Sequence, residues 1–163
     1  MKHVLLLLLG GMFCDAVQAQ SGNFSSSVSI QPVIELSLAN SSSNIIFSTS
    51  DQYSSEYVAT SFNTVKIKSN QNWNLSISAT SSVFTASGTF ASSNMPASLC
   101  RLSVTGQTGT LSLSTTSQLL ATGNRGNDVY TGNSFGITLK INPGYDYGAG
   151  IYSLGLVYTL TAK

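Results

Sequence analysis

The sequence predicts an all-β fold: an antiparallel immunoglobulin-like β-sandwich that forms a single domain over residues 20–163, behind a signal peptide at residues 1–19. Three observations carry that reading. Apolar residues recur with a period of two along most of the chain. Clusters of Asn, Ser, Gly and Pro punctuate the alternating runs. Charged residues make up only 8% of the chain, against ~25% in an ordinary globular domain. In their place stand 29 Ser and 16 Thr, which solubilise a sheet face but give a long amphipathic helix little from which to build its polar side.

At the N-terminus, Lys2-His3, the apolar run Val4 to Leu9 and the Ala16-Val17-Gln18-Ala19 site form the three regions of a secretory signal, with cleavage expected after Ala19. The run is too short for a membrane anchor, which needs ~20 residues. Cys14 leaves with the signal, because Gly11-Met12-Phe13 before it lacks the Leu and the small residue of a lipobox. The product is expected to be exported, to the periplasm, the cell surface or the medium, with no membrane span. It retains one cysteine, Cys100, so no intramolecular disulfide can form. The alternation of Leu99 to Val104 puts that thiol on the face of Leu102 and Val104, as a buried and inert group.

The first alternating run places Val28, Ile30, Pro32, Ile34, Leu36 and Leu38 on one face, as one strand or as two joined at a bend near Pro32. Further runs follow at Val65 to Lys68, Trp73 to Ser78, Leu111 to Leu113, Ile137 to Ile141 and Tyr152 to Leu160, and no helical window appears after the signal peptide. Trp73 shares a face with Leu75 and Ile77, which suits a core anchor; an exposed, sugar-stacking Trp is the other reading. Lys66 and Lys68 on the polar face, with Pro32, suit the protection of a sheet edge.

The chemistry the chain lacks is as informative. Its only histidine, His3, lies in the signal, which removes Ser-His-Asp and Cys-His catalysis and His-based metal sites. No catalytic residue, metal site or cofactor is expected. The near-neutral net charge of +1 argues against nucleic acid or an anionic membrane as partner. A carbohydrate-active enzyme would need two of Glu35, Asp51, Glu56, Asp128 and Asp146 to face each other across a cleft. Asn124-Arg125-Gly126-Asn127-Asp128 is oxygen-rich, but Arg125 opposes a calcium ion, and a hairpin loop with Asn and Gly at positive φ fits better.

The most distinctive polar and aromatic stretch is Tyr145-Asp146-Tyr147, followed by Gly148 to Tyr152. Tyr145, Asp146 and Tyr147 are the candidate binding residues for a glycan or protein partner. The competing reading has Tyr145 and Tyr147 covering a sheet end while Tyr152 forms a corner, its ring inside and its hydroxyl on backbone.

Gly150-Ile151-Tyr152 and the closing run Leu156-Val157-Tyr158-Thr159-Leu160 resemble the Gly-x-Tyr closing strand of bacterial pilus subunits and of secreted coat-protein-U-like domains. Together with Trp73-Asn74-Leu75, they are also similar to the WxL domains of bacterial cell-wall proteins, although the second motif here reads Tyr158-Thr159-Leu160. The resemblance implies a non-enzymatic protein of the bacterial envelope, a structural or adhesive module that meets a cell-wall polymer, a glycan or an envelope protein. The alternative is a self-assembling, pilus-like homo-oligomer, in which Phe24, Ser26 and Val28 of the segment Ser21 to Ser29 join a neighbour's sheet by strand addition.

Overall fold

The computed structural model describes residues 25–40 and 44–163, apart from the side chain of Ser61. The proposed signal peptide, Cys14 and Phe24 lie outside the described residues. Residues 31–163 form one compact unit. Of the N-terminal unit, residues 25–30 are described; they lie outside any strand, with Val28 85% and Ile30 80% exposed.

Alternation becomes strand wherever an apolar face finds cover. Ten strands follow in order: β1 (Ile34–Leu38), β2 (Tyr57–Ser69), β3 (Trp73–Ala79), β4 (Thr85–Ser87), β5 (Arg101–Val104), β6 (Leu111–Ser112), β7 (Gln118–Gly123), β8 (Ser134–Ile141), β9 (Ile151–Ser153) and β10 (Leu156–Ala162). They build a five-stranded sheet of order β1-β2-β8-β5-β6, a three-stranded sheet of order β10-β3-β7, and the small pair β4-β9. Every pairing is antiparallel. The fold is therefore the expected all-β sandwich.

The core lies between the two larger sheets. Val65 and Ile67 from β2, Leu102 from β5, and Ile137 and Leu139 from β8 meet Trp73, Leu75 and Ile77 from β3 in one buried cluster. The Trp73 ring stacks on Phe135 of the opposite sheet, centroids 6.2 Å apart. Burying a side chain of this size contributes roughly 1.5–3 kcal/mol, so the inward residues of β2, β3 and β8 carry most of the fold's hydrophobic stabilisation. Cys100 is buried and free, as expected.

Four local expectations change. The run from Val28 becomes a strand only at Ile34. Pro32 has no N–H to donate, and the Asn70 carboxamide takes the place of a ladder there, accepting from the Val33 N–H (2.8 Å) and donating to the Gln31 carbonyl (2.7 Å). The run from Tyr152 splits into β9, which pairs with β4, and β10, which pairs with β3. Lys66 and Lys68 lie on an inner strand, across from Ser37 and Glu35 of the edge strand β1, so Pro32 alone stands beside an edge. Short helices do occur: α1 (Ser50–Ser54) and a 3-10 turn at Ala97–Leu99. The Gln52 side chain holds the start of α1 by accepting from the N–H groups of Ser48 (2.7 Å) and Thr49 (3.1 Å).

β7 escapes sequence reading for a physical reason. The register slips between Leu75 and Ser76, so that Ala121 faces Leu75 while Leu119 faces Ser76, and Leu120 is the extra residue of a bulge. A bulge breaks the period-two pattern by which a strand is recognised. Among the described residues no helix is long and apolar enough to cross a membrane.

Candidate functional site

The loop from β8 to β9 carries the three predicted residues and separates them. Tyr147 is half-buried and packs against the core. Asp146 is exposed. Tyr145 is 69% exposed but not loose: its ring stacks on Tyr53 of α1 at 5.4 Å, and its hydroxyl donates to the Ser50 carbonyl at 3.2 Å. Tyr53 in turn lies 5.6 Å from Phe47, its hydroxyl donating to the Phe47 carbonyl, and Phe47 lies 6.0 Å from Tyr57. An aromatic ladder thus links Tyr145 through α1 to Tyr57 at the start of β2. Sequence reasoning missed Phe47, Tyr53 and Tyr57 because a single helical turn is too short to show a period of 3.6.

Tyr152 takes the corner role. Its ring packs against the core, and its hydroxyl donates to the Gly148 carbonyl (2.5 Å) and accepts from the Ser92 N–H (2.9 Å). The Gly148 N–H donates to Ser92 Oγ at 3.0 Å. These bonds fix the loop that presents Tyr145 and Asp146, so the exposed ring and carboxylate sit on a braced support.

A second feature lies where the two sheets open. β6 and β7 are the edges of their sheets on one flank, and between them runs a groove of about 760 Å³, lined by the apolar Leu102, Leu119, Leu120 and Phe135 and by the polar Ser103, Thr105, Gln107 and Thr122, among others. Leu119 is 57% exposed. β7 pairs with β3 on one side only, so its outward backbone groups have no ladder. The Gln118 side-chain oxygen on the same strand is buried without a hydrogen-bond partner among the described residues. Such a groove offers an apolar floor and a free strand edge together.

The titratable groups are few. Burial pushes the Cys100 thiol up to about 11, which keeps it protonated and unreactive at neutral pH. The Glu56 carboxylate contacts the Arg101 guanidinium and lies 4.0 Å from Lys140 Nζ on the outer face of the five-stranded sheet. Glu35 is exposed opposite Lys68. Among the described residues no three His, Cys, Asp or Glu side chains gather as a metal site would require.

The Asn124 to Asp128 segment is a correction. It belongs to the loop that carries the chain from β7 in one sheet to β8 in the other, so it is not a hairpin. Positive φ falls at Gly126 and Gly132 and at no Asn among the described residues. Compared with known proteins, the chain matches no family model, and no curated protein matches it.

Proposed function

We propose that this protein is an exported, non-enzymatic structural module of a bacterial envelope that joins to further copies of itself by β-strand addition. The observation that carries the reading is the pairing of two complementary features in one chain. One is a segment before β1 that exposes Val28 and Ile30 outside any strand. The other is the apolar groove beside the unpaired edge of β7. With Phe24 on the same alternation, the segment offers Phe24, Val28 and Ile30 with Ser26 on one face and Ser25, Ser27 and Ser29 on the other, close to the pattern of an incoming strand. Main-chain bonds to β7 would give affinity, and the groove would choose the side chains. The signal-peptide pattern of residues 1–19 supports export, and the closing strand's resemblance to pilus subunits agrees with assembly.

The test is size-exclusion chromatography with light scattering on residues 20–163, over a range of concentrations, beside a variant lacking Ser21–Ser27 and a Val28→Lys, Ile30→Lys double variant. The full chain forms oligomers and both variants run as monomers. A monomeric full chain, or oligomers that persist in both variants, overturns the reading.

The adhesive reading keeps a specific support of its own in the braced, 69% exposed ring of Tyr145 beside Asp146. Pull-down of the purified protein on cell-wall polymers and glycans tests it: binding that Tyr145→Ala abolishes supports it, and uniform absence of binding sinks it.

A further inference from the structure

The turn between β2 and β3 and the loop between β7 and β8 face each other across a cleft of about 560 Å³, lined by Asn70, Gln71, Asn72, Asn124, Arg125 and Tyr130. That size falls in the ~300–1,000 Å³ range of small-molecule sites. The lining is distinctive: four Asn or Gln residues, one guanidinium and one tyrosine ring, with no aliphatic side chain among them. The geometry points to a saccharide-binding site selective for sugars that carry a carboxylate. It goes beyond the assembly reading and uses neither the N-terminal segment nor β7's open groove.

A polar cleft binds well only if its groups are already in place. Trp73 fastens the loop from inside: its indole N–H, fully buried, donates to the Asn124 carbonyl (3.1 Å) and to Asn133 Oδ1 (3.2 Å). The two walls are stitched by a reciprocal backbone pair, the Ser69 N–H on the Gly126 carbonyl (2.9 Å) and the Gly126 N–H on the Ser69 carbonyl (2.7 Å). The Arg125 N–H donates to Asn72 Oδ1 at 3.2 Å, which leaves the Asn72 amide nitrogen available to donate outward. Tyr130 is seated by Gly126, where a Cβ would fall 2.8 Å from the tyrosine's own Cβ and Cγ.

The chemistry follows from the lining. Carboxamides donate and accept at once, as sugar hydroxyls do; those of Gln71 and Asn124, with the Asn72 amide nitrogen, are the ones on offer here, since the Asn70 carboxamide already holds Val33 and Gln31. The Tyr130 ring, with its residue 49% exposed, offers an electron-rich face to the C–H groups of a pyranose. Arg125 makes no ion pair among the described residues, and its planar fork matches a carboxylate in two parallel bonds. One guanidinium without neighbouring lysines in the lining suits a single carboxylate on a neutral ring better than a polyphosphate.

The experiment is calorimetric titration of residues 20–163 with hexagalacturonate, with chitohexaose as the uncharged probe. Hexagalacturonate binds, chitohexaose binds at least tenfold more weakly, and Arg125→Gln removes the difference. Tyr130→Ala weakens hexagalacturonate at least tenfold, whereas Tyr130→Phe, which keeps the ring, does not. Arg125 is exposed, so Arg125→Gln unfolds at the wild-type temperature, and its weaker binding of hexagalacturonate is that of a folded protein. The variant lacking Ser21–Ser27 binds hexagalacturonate as the full chain does, which separates this site from assembly. Absence of hexagalacturonate binding, equal binding of chitohexaose, or unchanged affinity in Arg125→Gln overturns the proposal.

Discussion

Cys100 shows how burial decides the behaviour of a single side chain. Desolvation raises its thiol from 9.0 to about 11, so the folded chain holds this proton more tightly than the unfolded chain does. Below pH 9 both states are protonated and the thiol adds no pH dependence. Between pH 9 and about 11 the unfolded chain ionises first, and stability falls as pH rises, by roughly 2–3 kcal/mol across that window. Burial also raises the Tyr158 hydroxyl, which adds a slope of the same sign. Urea unfolding at about pH 8 and about pH 10.5, on either side of the unfolded thiol's titration, isolates the group. The wild type loses more stability between the two than Cys100→Ala does, and equal losses contradict the assignment. The inward direction of Cys100 is legible in the alternation of Leu99 to Val104. So is that of Trp73, but its hydrogen-bond partners are not: Asn124 and Asn133 lie 51 and 60 residues away in sequence, and only the folded sheets bring them together.

At the scale of elements, strands with one clean apolar face announce themselves, and those with a bulge, a break or a single turn do not. β3 and β8 alternate without interruption, and both appear where the sequence puts them. β7 hides behind its bulge at Leu120, and α1 is one turn long. The candidate site suffers most from this. Tyr145, Asp146 and Tyr147 are conspicuous in sequence, but the partners that give Tyr145 its position belong to α1 and the segment before it. The cleft between two polar loops is equally hidden, since a row of Asn and Gln reads as turn chemistry until the opposing wall is known. One element junction admits a sharp check. Gly123 ends β7 against the Trp73 ring, and a Cβ there would fall 2.1 Å from Trp73 Cζ2. Gly123→Ala forces either the indole or the strand to move and costs about 1–3 kcal/mol, as overpacking does. It is read as a lower urea midpoint at unchanged slope. Gly109→Ala, where nothing lies within 4 Å of the new methyl group, leaves the midpoint unchanged.

For the whole molecule, the shortage of charge and the abundance of Ser and Thr express one design. Alternation hands the apolar residues to a shared core and the hydroxyls to the outer faces, which leaves few groups able to move a proton or hold a metal. Among the edge strands β1, β6, β7 and β10, β7 is one that borders the groove, and Val28 and Ile30 before β1 are exposed. If copies of the chain join by strand addition, the β7 backbone must change from solvent-paired to strand-paired on assembly. Amide hydrogen exchange across Gln118–Gly123 reads that change directly, in the full chain at high concentration and in the variant lacking Ser21–Ser27. On assembly by strand addition, alternate amides of β7 exchange at least tenfold more slowly in the full chain, while those of β3 are the same in both. Equal exchange along β7 in the two proteins would contradict it.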